Sequence, residues 1–159
     1  MPPTSPEHRS ITRTGSRAPG SPSTTPTQRA AAAAASRSAE PALTEPPVGP
    51  YTPVVRAGDW LIVSGQIGQV EGSLVAGGII EQTRRALANL AALLEAEGSS
   101  LDEVAKTTVF LRHISDYPDM NRAYAEVFGA HRPARSAAAV GALPMDALVE
   151  IEAWAYTGS

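Results

Sequence analysis

The spacing of apolar residues changes along the chain, and each change marks an element. Between Ile79 and Glu97, Ile79/Ile80, Thr83, Ala86/Leu87, Leu90 and Leu93/Leu94 recur at steps of three and four. That spacing builds one apolar stripe on a helix, and Gly98 follows where a left-handed C-terminal cap belongs. Upstream, Val54–Arg56 and Trp60–Ile67 flank Ala57-Gly58-Asp59 and read as a hairpin. Val48-Gly-Pro-Tyr51 is an extended or turned entry, because Pro50 biases Gly49 away from helix. A glycine-rich link (Gly68, Gly72, Gly77, Gly78) joins hairpin to helix. Beyond a short turn at Ser100–Asp102, the β-branched run Thr107-Thr-Val-Phe-Leu111 centres a strand over Val104–His113. A second helix is predicted over about Pro118–Phe128, ended by Gly129. Strands at Ala134–Val140 and Ala147–Tyr156 follow, divided by the turn Leu143-Pro-Met-Asp146.

The order β-β-α-β-α-β-β predicts an α+β layer with two helices over one face of a sheet. Trp60-Leu-Ile-Val63 and Val109-Phe-Leu111 nevertheless place apolar side chains on both faces. Two helices cover only one of them, so the other is expected to meet a further copy of the chain.

Composition divides the chain in two. Residues 1–46 hold eight of the fourteen prolines, no aromatic residue, and only Met1, Ile11 and Leu43 as large apolar side chains. Such a stretch cannot bury enough apolar surface to offset an ordering cost of about 1–2 kcal/mol per residue, and a disordered tail is expected there. The folded domain is then 47–159. The tail carries five Arg against three Glu, and the remainder eight Lys/Arg against thirteen Asp/Glu. An Arg/Ser-rich, acid-poor leader can be an organelle transit peptide, but its proline content argues against an amphipathic presequence, and a cytoplasmic protein is expected. The formal charge of −3 and the absence of a basic field make nucleic acid a poor partner. The absence of cysteine removes disulfides, zinc knuckles and thiol nucleophiles. No apolar run approaches the roughly 18 residues of a membrane span. His8, His113 and His131 are too scattered for a metal site, no Gly-Lys-Ser/Thr marks a phosphate loop, and Arg84-Arg85 is expected to be solvated. No metal and no cofactor are expected.

The motifs that remain run in a definite order: Gly49-Pro-Tyr51, Val63-Ser-Gly-Gln-Ile67, Gln82-Thr-x3-Leu-x-Asn-Leu90, Lys106-Thr-Thr-Val-Phe110, Asn121-x2-Tyr124, Pro133-Ala-Arg-Ser136 and Val149-Glu-Ile-Glu-Ala153. Together they resemble the reactive-intermediate (imine/enamine) deaminase family, the Rid or YjgF-like family, over nearly all of 47–159. The resemblance implies a chorismate-mutase-like mixed sheet with two helices on one face. It also implies a homotrimer around a central barrel, with ligand clefts between subunits.

Each candidate residue has a plain structural reading beside the one the resemblance implies. Arg135 offers a charged planar fork suited to gripping a carboxylate, or equally to pairing within an interface. The resemblance makes it the substrate-carboxylate arginine. Glu150 and Glu152 alternate with Val149, Ile151 and Ala153, so their carboxylates share one strand face. That face is either solvated or, at Glu150, the holder of the hydrolytic water that the resemblance implies. Tyr51 follows a proline-fixed turn as a packing residue or a ring over a ligand. Ser64 bonds to nearby backbone or steers the imine nitrogen. Gly65 lets backbone approach a ligand closely. Asn121 is an exposed helix residue or a cleft residue. Family members commonly carry cysteine where this chain has Ala137, whose backbone N–H remains, and glutamine where it has Pro53. The implied reaction is cofactor-free hydrolysis of 2-aminoacrylate-type imino and enamino acids to 2-keto acids and ammonia. The alternatives are a non-catalytic binder of small carboxylates and a deaminase specialised for a catabolic intermediate such as an aminomuconate-like acid.

Overall fold

A computed structural model describes Pro47 and residues 49–159. The tail expected over 1–46, and Val48 of the entry segment, lie outside the described residues. Among the described residues the strands and α-helices are β1 (Val54–Ala57), β2 (Trp60–Ile67), β3 (Gln69–Val70), β4 (Ser73–Leu74), α1 (Gly78–Ala96), β5 (Val104–Leu111), α2 (Tyr117–Phe128), β6 (Ala134–Ala139) and β7 (Val149–Tyr156). Five strands form one sheet in the order β1-β2-β7-β5-β6, antiparallel except for the β5–β6 pair.

The helices lie together on one face. Leu87, Leu90 and Leu94 of α1 and Met120 of α2 are fully buried against Leu61, Val63, Val109, Leu111, Val149, Ile151 and Ala153 of the sheet. The alternation along β7 is strict: Val149, Ile151, Ala153 and Ala155 are buried, while Trp154 and Tyr156 are exposed. The opposite face is open. Trp60, Trp154 and Tyr156 are 38%, 45% and 44% exposed there, with the Trp60 ring 6.3 Å from Trp154 and 5.0 Å from Tyr156. The apolar second face read from the strands is present and uncovered in the single chain.

Several boundaries differ from expectation for local reasons. The glycine-rich link contains a β3–β4 ribbon, turned by Glu71 and Gly72 at φ 49° and 73°. Strand β5 ends at Leu111 because the His113 carbonyl accepts the Asp116 N–H and starts a 3₁₀ turn. Strand β7 starts at Val149, since the Ala147 N–H bonds to Pro144 and the Leu148 N–H to the buried Gln82 side chain. Gly98, at φ 75°, closes α1 as expected. Arg84 is not simply solvated: it bonds Glu81 on α1 and Glu126 on α2 and ties the two helices together. Arg85 donates to the Gln69 carbonyl.

Candidate active site

Sheet register divides the candidate residues between the two faces. Arg135 pairs with Thr107 across β5–β6, and Thr107 is fully buried beneath the helices. Glu150 pairs with Phe110 across β5–β7, and 107 and 110 differ in parity on the same strand. Side chains alternate strictly along a strand, so Arg135 faces the helices and Glu150 faces the open side. One chain does not bring them together.

On the helix side, α2 wraps Arg135. Its Nη2 donates to Asn121 Oδ1 at 2.7 Å and to the Tyr117 hydroxyl at 3.2 Å, and Nη1 approaches Met120 Sδ at 4.0 Å. The guanidinium carbon lies 4.6 Å from the centre of the Tyr124 ring and 5.6 Å from that of Tyr117. Tyr124 is itself held by Thr107, hydroxyl to hydroxyl at 2.7 Å. Burial raises the Tyr124 pKa, with the Thr107 bond and the Arg135 charge opposing the shift. The ion pairs among the described residues are Arg56–Glu97, Arg84–Glu81, Arg84–Glu126 and Arg122–Asp119. Arg135 enters none of them. It is a half-buried cation surrounded by rings, a thioether and an amide, with its charge uncompensated. Ala137, two residues on, shares that face and packs against the core.

On the open side, two residues of β2, Ser64 and Gly65, stand opposite the single residue Glu152 of β7. The register steps from Val63↔Ala153 to Gln66↔Ile151, which is a β-bulge. Its purpose is visible in the packing: a Cβ at position 65 would collide with the Glu150 carboxylate. Gly65 therefore makes room for the Glu150 side chain of its own sheet. Glu150 is half buried, and no hydrogen bond to its oxygens is made among the described residues. Its pKa is raised, first by burial and then by the like charge of Glu152.

The entry segment is tied to the same bulge. Ser64 donates through Oγ to the Thr52 carbonyl at 2.8 Å and through N–H to the Pro53 carbonyl at 2.9 Å. Gln66 Nε2 caps the Ser64 and Gly65 carbonyls. Ser64 thus donates its hydroxyl proton to backbone in the single chain. Tyr51, exposed, is carried on the segment it anchors. Pro53 keeps its place by accepting a hydrogen bond through its carbonyl, which needs no side-chain amide.

The residues around Arg135 that went unassigned in the sequence are Tyr117, Met120, Tyr124 and Thr107. Their signal was the spacing 117, 120, 121, 124, one stripe of α2 facing an arginine on an edge strand. His131 Nε2 lies 2.7 Å from the Val104 carbonyl. Among the described residues no group of three His, Cys, Asp or Glu is arranged to hold a metal ion, and no helix is long and apolar enough to cross a membrane.

Comparison with known proteins agrees with this architecture. The family model described as Endoribonuclease L-PSP matches residues 42–157. A RutC family protein of Pyrococcus horikoshii is 48% identical over 112 residues, covering 69% of this chain and 89% of its own. The 2-iminobutanoate/2-iminopropanoate deaminase of Homo sapiens is 41% identical over 113 residues, covering 70% and 82%. The structure of E. coli TdcF with bound serine matches with a TM-score of 0.67 at 34% identity, covering 70% of this chain and 91% of that one. The E. coli YjgF gene product matches with a TM-score of 0.67 at 37% identity, covering 70% and 91%. Five mixed strands carrying two helices on one face are thus the YjgF fold, and the chain belongs to the reactive-intermediate deaminase (Rid, YjgF-like) family.

Proposed function

We propose that residues 47–159 form a cofactor-independent imine hydrolase, converting small 2-imino and enamino acids of the 2-aminoacrylate type to 2-keto acids and ammonia. The observation that carries this reading is the uncompensated guanidinium of Arg135. It is half buried between aromatic rings and has only neutral partners among the described residues, so a small anion is its natural complement. The relatives named as 2-iminobutanoate/2-iminopropanoate deaminases, and the serine in TdcF, point to a short 2-amino or 2-imino acid as that anion.

Arg135 and Glu150 lie on opposite faces, so the working site needs two chains. In a homotrimer closed through the open faces, Arg135 with Asn121 and the Ala137 N–H come from one protomer. Glu150 and the Tyr51 segment anchored on Ser64 come from its neighbour. Arg135 grips the carboxylate, and the C=N carbon beside it is presented to water. Glu150 takes a proton as that water attacks the protonated imine, giving a neutral carbinolamine. Returning that proton to nitrogen makes an ammonium leaving group. As the C–N bond breaks, the carbinol hydroxyl gives its own proton back to Glu150 and then to water, releasing ammonia and the keto acid. A carboxylate held above its ordinary pKa by burial is a stronger base than one in water, and one positioned base contributes roughly 10²–10⁴-fold. Nucleic acid is disfavoured as a substrate by the acidic balance of 47–159, eight Lys/Arg against thirteen Asp/Glu.

The test is to generate 2-iminobutanoate from L-threonine with a dehydratase and follow the keto acid. Wild-type protein accelerates its appearance, and Arg135→Ala abolishes the acceleration while leaving the oligomer intact. Turnover retained by Arg135→Ala overturns the assignment. A protein that binds 2-oxobutanoate yet shows no acceleration is instead a binder of small carboxylates.

A further inference from the structure

The way α2 holds Arg135 conflicts with the grip just assigned to it. A carboxylate makes two parallel bonds to a guanidinium along the Nη1/Nη2 edge or the Nε/Nη2 edge, and both edges spend an Nη2 hydrogen. Nη2 has two hydrogens and makes two hydrogen bonds, to Asn121 Oδ1 and to the Tyr117 hydroxyl. A two-point grip therefore requires one of these acceptors to leave.

The two differ in how readily they yield. Asn121 is bonded at 2.7 Å from within α2, beside the fully buried Met120. Tyr117 is bonded at 3.2 Å, is 37% exposed, and is the first residue of α2. The residue before it, Asp116, makes no side-chain capping bond to the helix. Tyr117 is thus the longer contact, at the first residue of its helix, with its side chain free to move into solvent.

We propose that Tyr117 is a placeholder for the substrate carboxylate: its hydroxyl oxygen occupies the fork of Arg135 in the empty site and is displaced when the acid binds. The inference rests on the reading of Arg135 as the carboxylate-binding group. A neutral oxygen in the fork keeps the half-buried guanidinium hydrogen-bonded between turnovers, and every incoming acid must compete with it. Tyr117 is then a specificity residue that acts through Arg135. An anion accepting a single hydrogen bond can take another guanidinium hydrogen and leave Tyr117 in place, whereas a two-point carboxylate exchanges one bond to a neutral oxygen for two to a charged group.

Tyr117→Phe keeps the ring against the guanidinium and removes only the competing oxygen. Titration calorimetry of the full chain with 2-oxobutanoate, the unreactive keto acid, is the direct test. The dissociation constant is expected to fall about two- to tenfold, the worth of one ordinary hydrogen bond. Structural damage cannot produce tighter binding, so the gain is diagnostic. An unchanged or raised dissociation constant overturns the placeholder. Arg135→Gln, titrated alongside, separates the two readings. If Arg135→Gln loses binding but Tyr117→Phe does not tighten it, only the placeholder falls. If Arg135→Gln binds as wild type does, the carboxylate assignment falls with it.

Discussion

The two faces of the sheet are made by the same strands, yet one is finished within the chain and the other is not. Beneath the helices, leucines and valines are fully buried, and even the charged group at the edge, Arg135, has its partners supplied by α2. On the open side, two tryptophans and a tyrosine meet edge-on and tilted with much of their surface in solvent, and a pair of carboxylates sits on the same strand as two of them. Alternation along β7 generates both faces from one octapeptide, Val149–Tyr156. The covered face stores stability, and the open face holds the carboxylate half of the proposed site.

If the two half-sites meet only between chains, mixing experiments break the comparison most sharply. Glu150→Gln alone is expected to lose roughly 10²–10⁴-fold in turnover, and Arg135→Ala alone to be inactive. Trimers assembled from an equal mixture of the two recover about a quarter of wild-type activity, because one seam in four receives both intact residues. Ammonia release from the mixture is the measurement, and no recovery means both residues serve the same chain.

A second contrast compares packing on the two faces. Leu90→Ala empties the covered core and should cost about 2–5 kcal/mol, read as a lowered denaturation midpoint. Trp154→Ser removes an exposed ring and should leave the fold of the protomer intact while weakening assembly, read by sedimentation. A large loss of protomer stability from Trp154→Ser would show that the open face is not reserved for a partner.

The smallest effect concerns pH. In the proposed role Glu150 acts ionised, so turnover is expected to fall as pH drops through its raised pKa, placing the acid limb above the ordinary carboxylate range. Glu152→Gln removes the second cause of that shift and moves the limb toward lower pH, burial remaining as the main cause. The stability sign is opposite. A carboxyl whose folded pKa is raised favours the folded state only while protonated, so its contribution is lost as pH rises through that value. Glu150→Gln should therefore raise the melting temperature at neutral pH.

Much of this was legible in the chain itself. The three-and-four spacing of Ile79 to Leu94 requires a helix, and the alternation of Val149 to Ala155 requires a strand with two unlike faces, because both periods follow from backbone geometry alone. The motifs from Gly49-Pro-Tyr51 to Val149-Glu-Ile-Glu-Ala153 carried the family, since enough side chains stand in order to specify it. Other features depended on contacts between residues far apart in sequence. That Gly65 yields its space to Glu150, that Ser64 spends its proton on Thr52, and that Tyr117 and Tyr124 enclose Arg135 are facts of the assembled sheet and helix. Sequence spacing settles which side of its own element a residue occupies. Only the pairing register between strands, set by the whole core at once, decides that the arginine and the glutamate look in opposite directions.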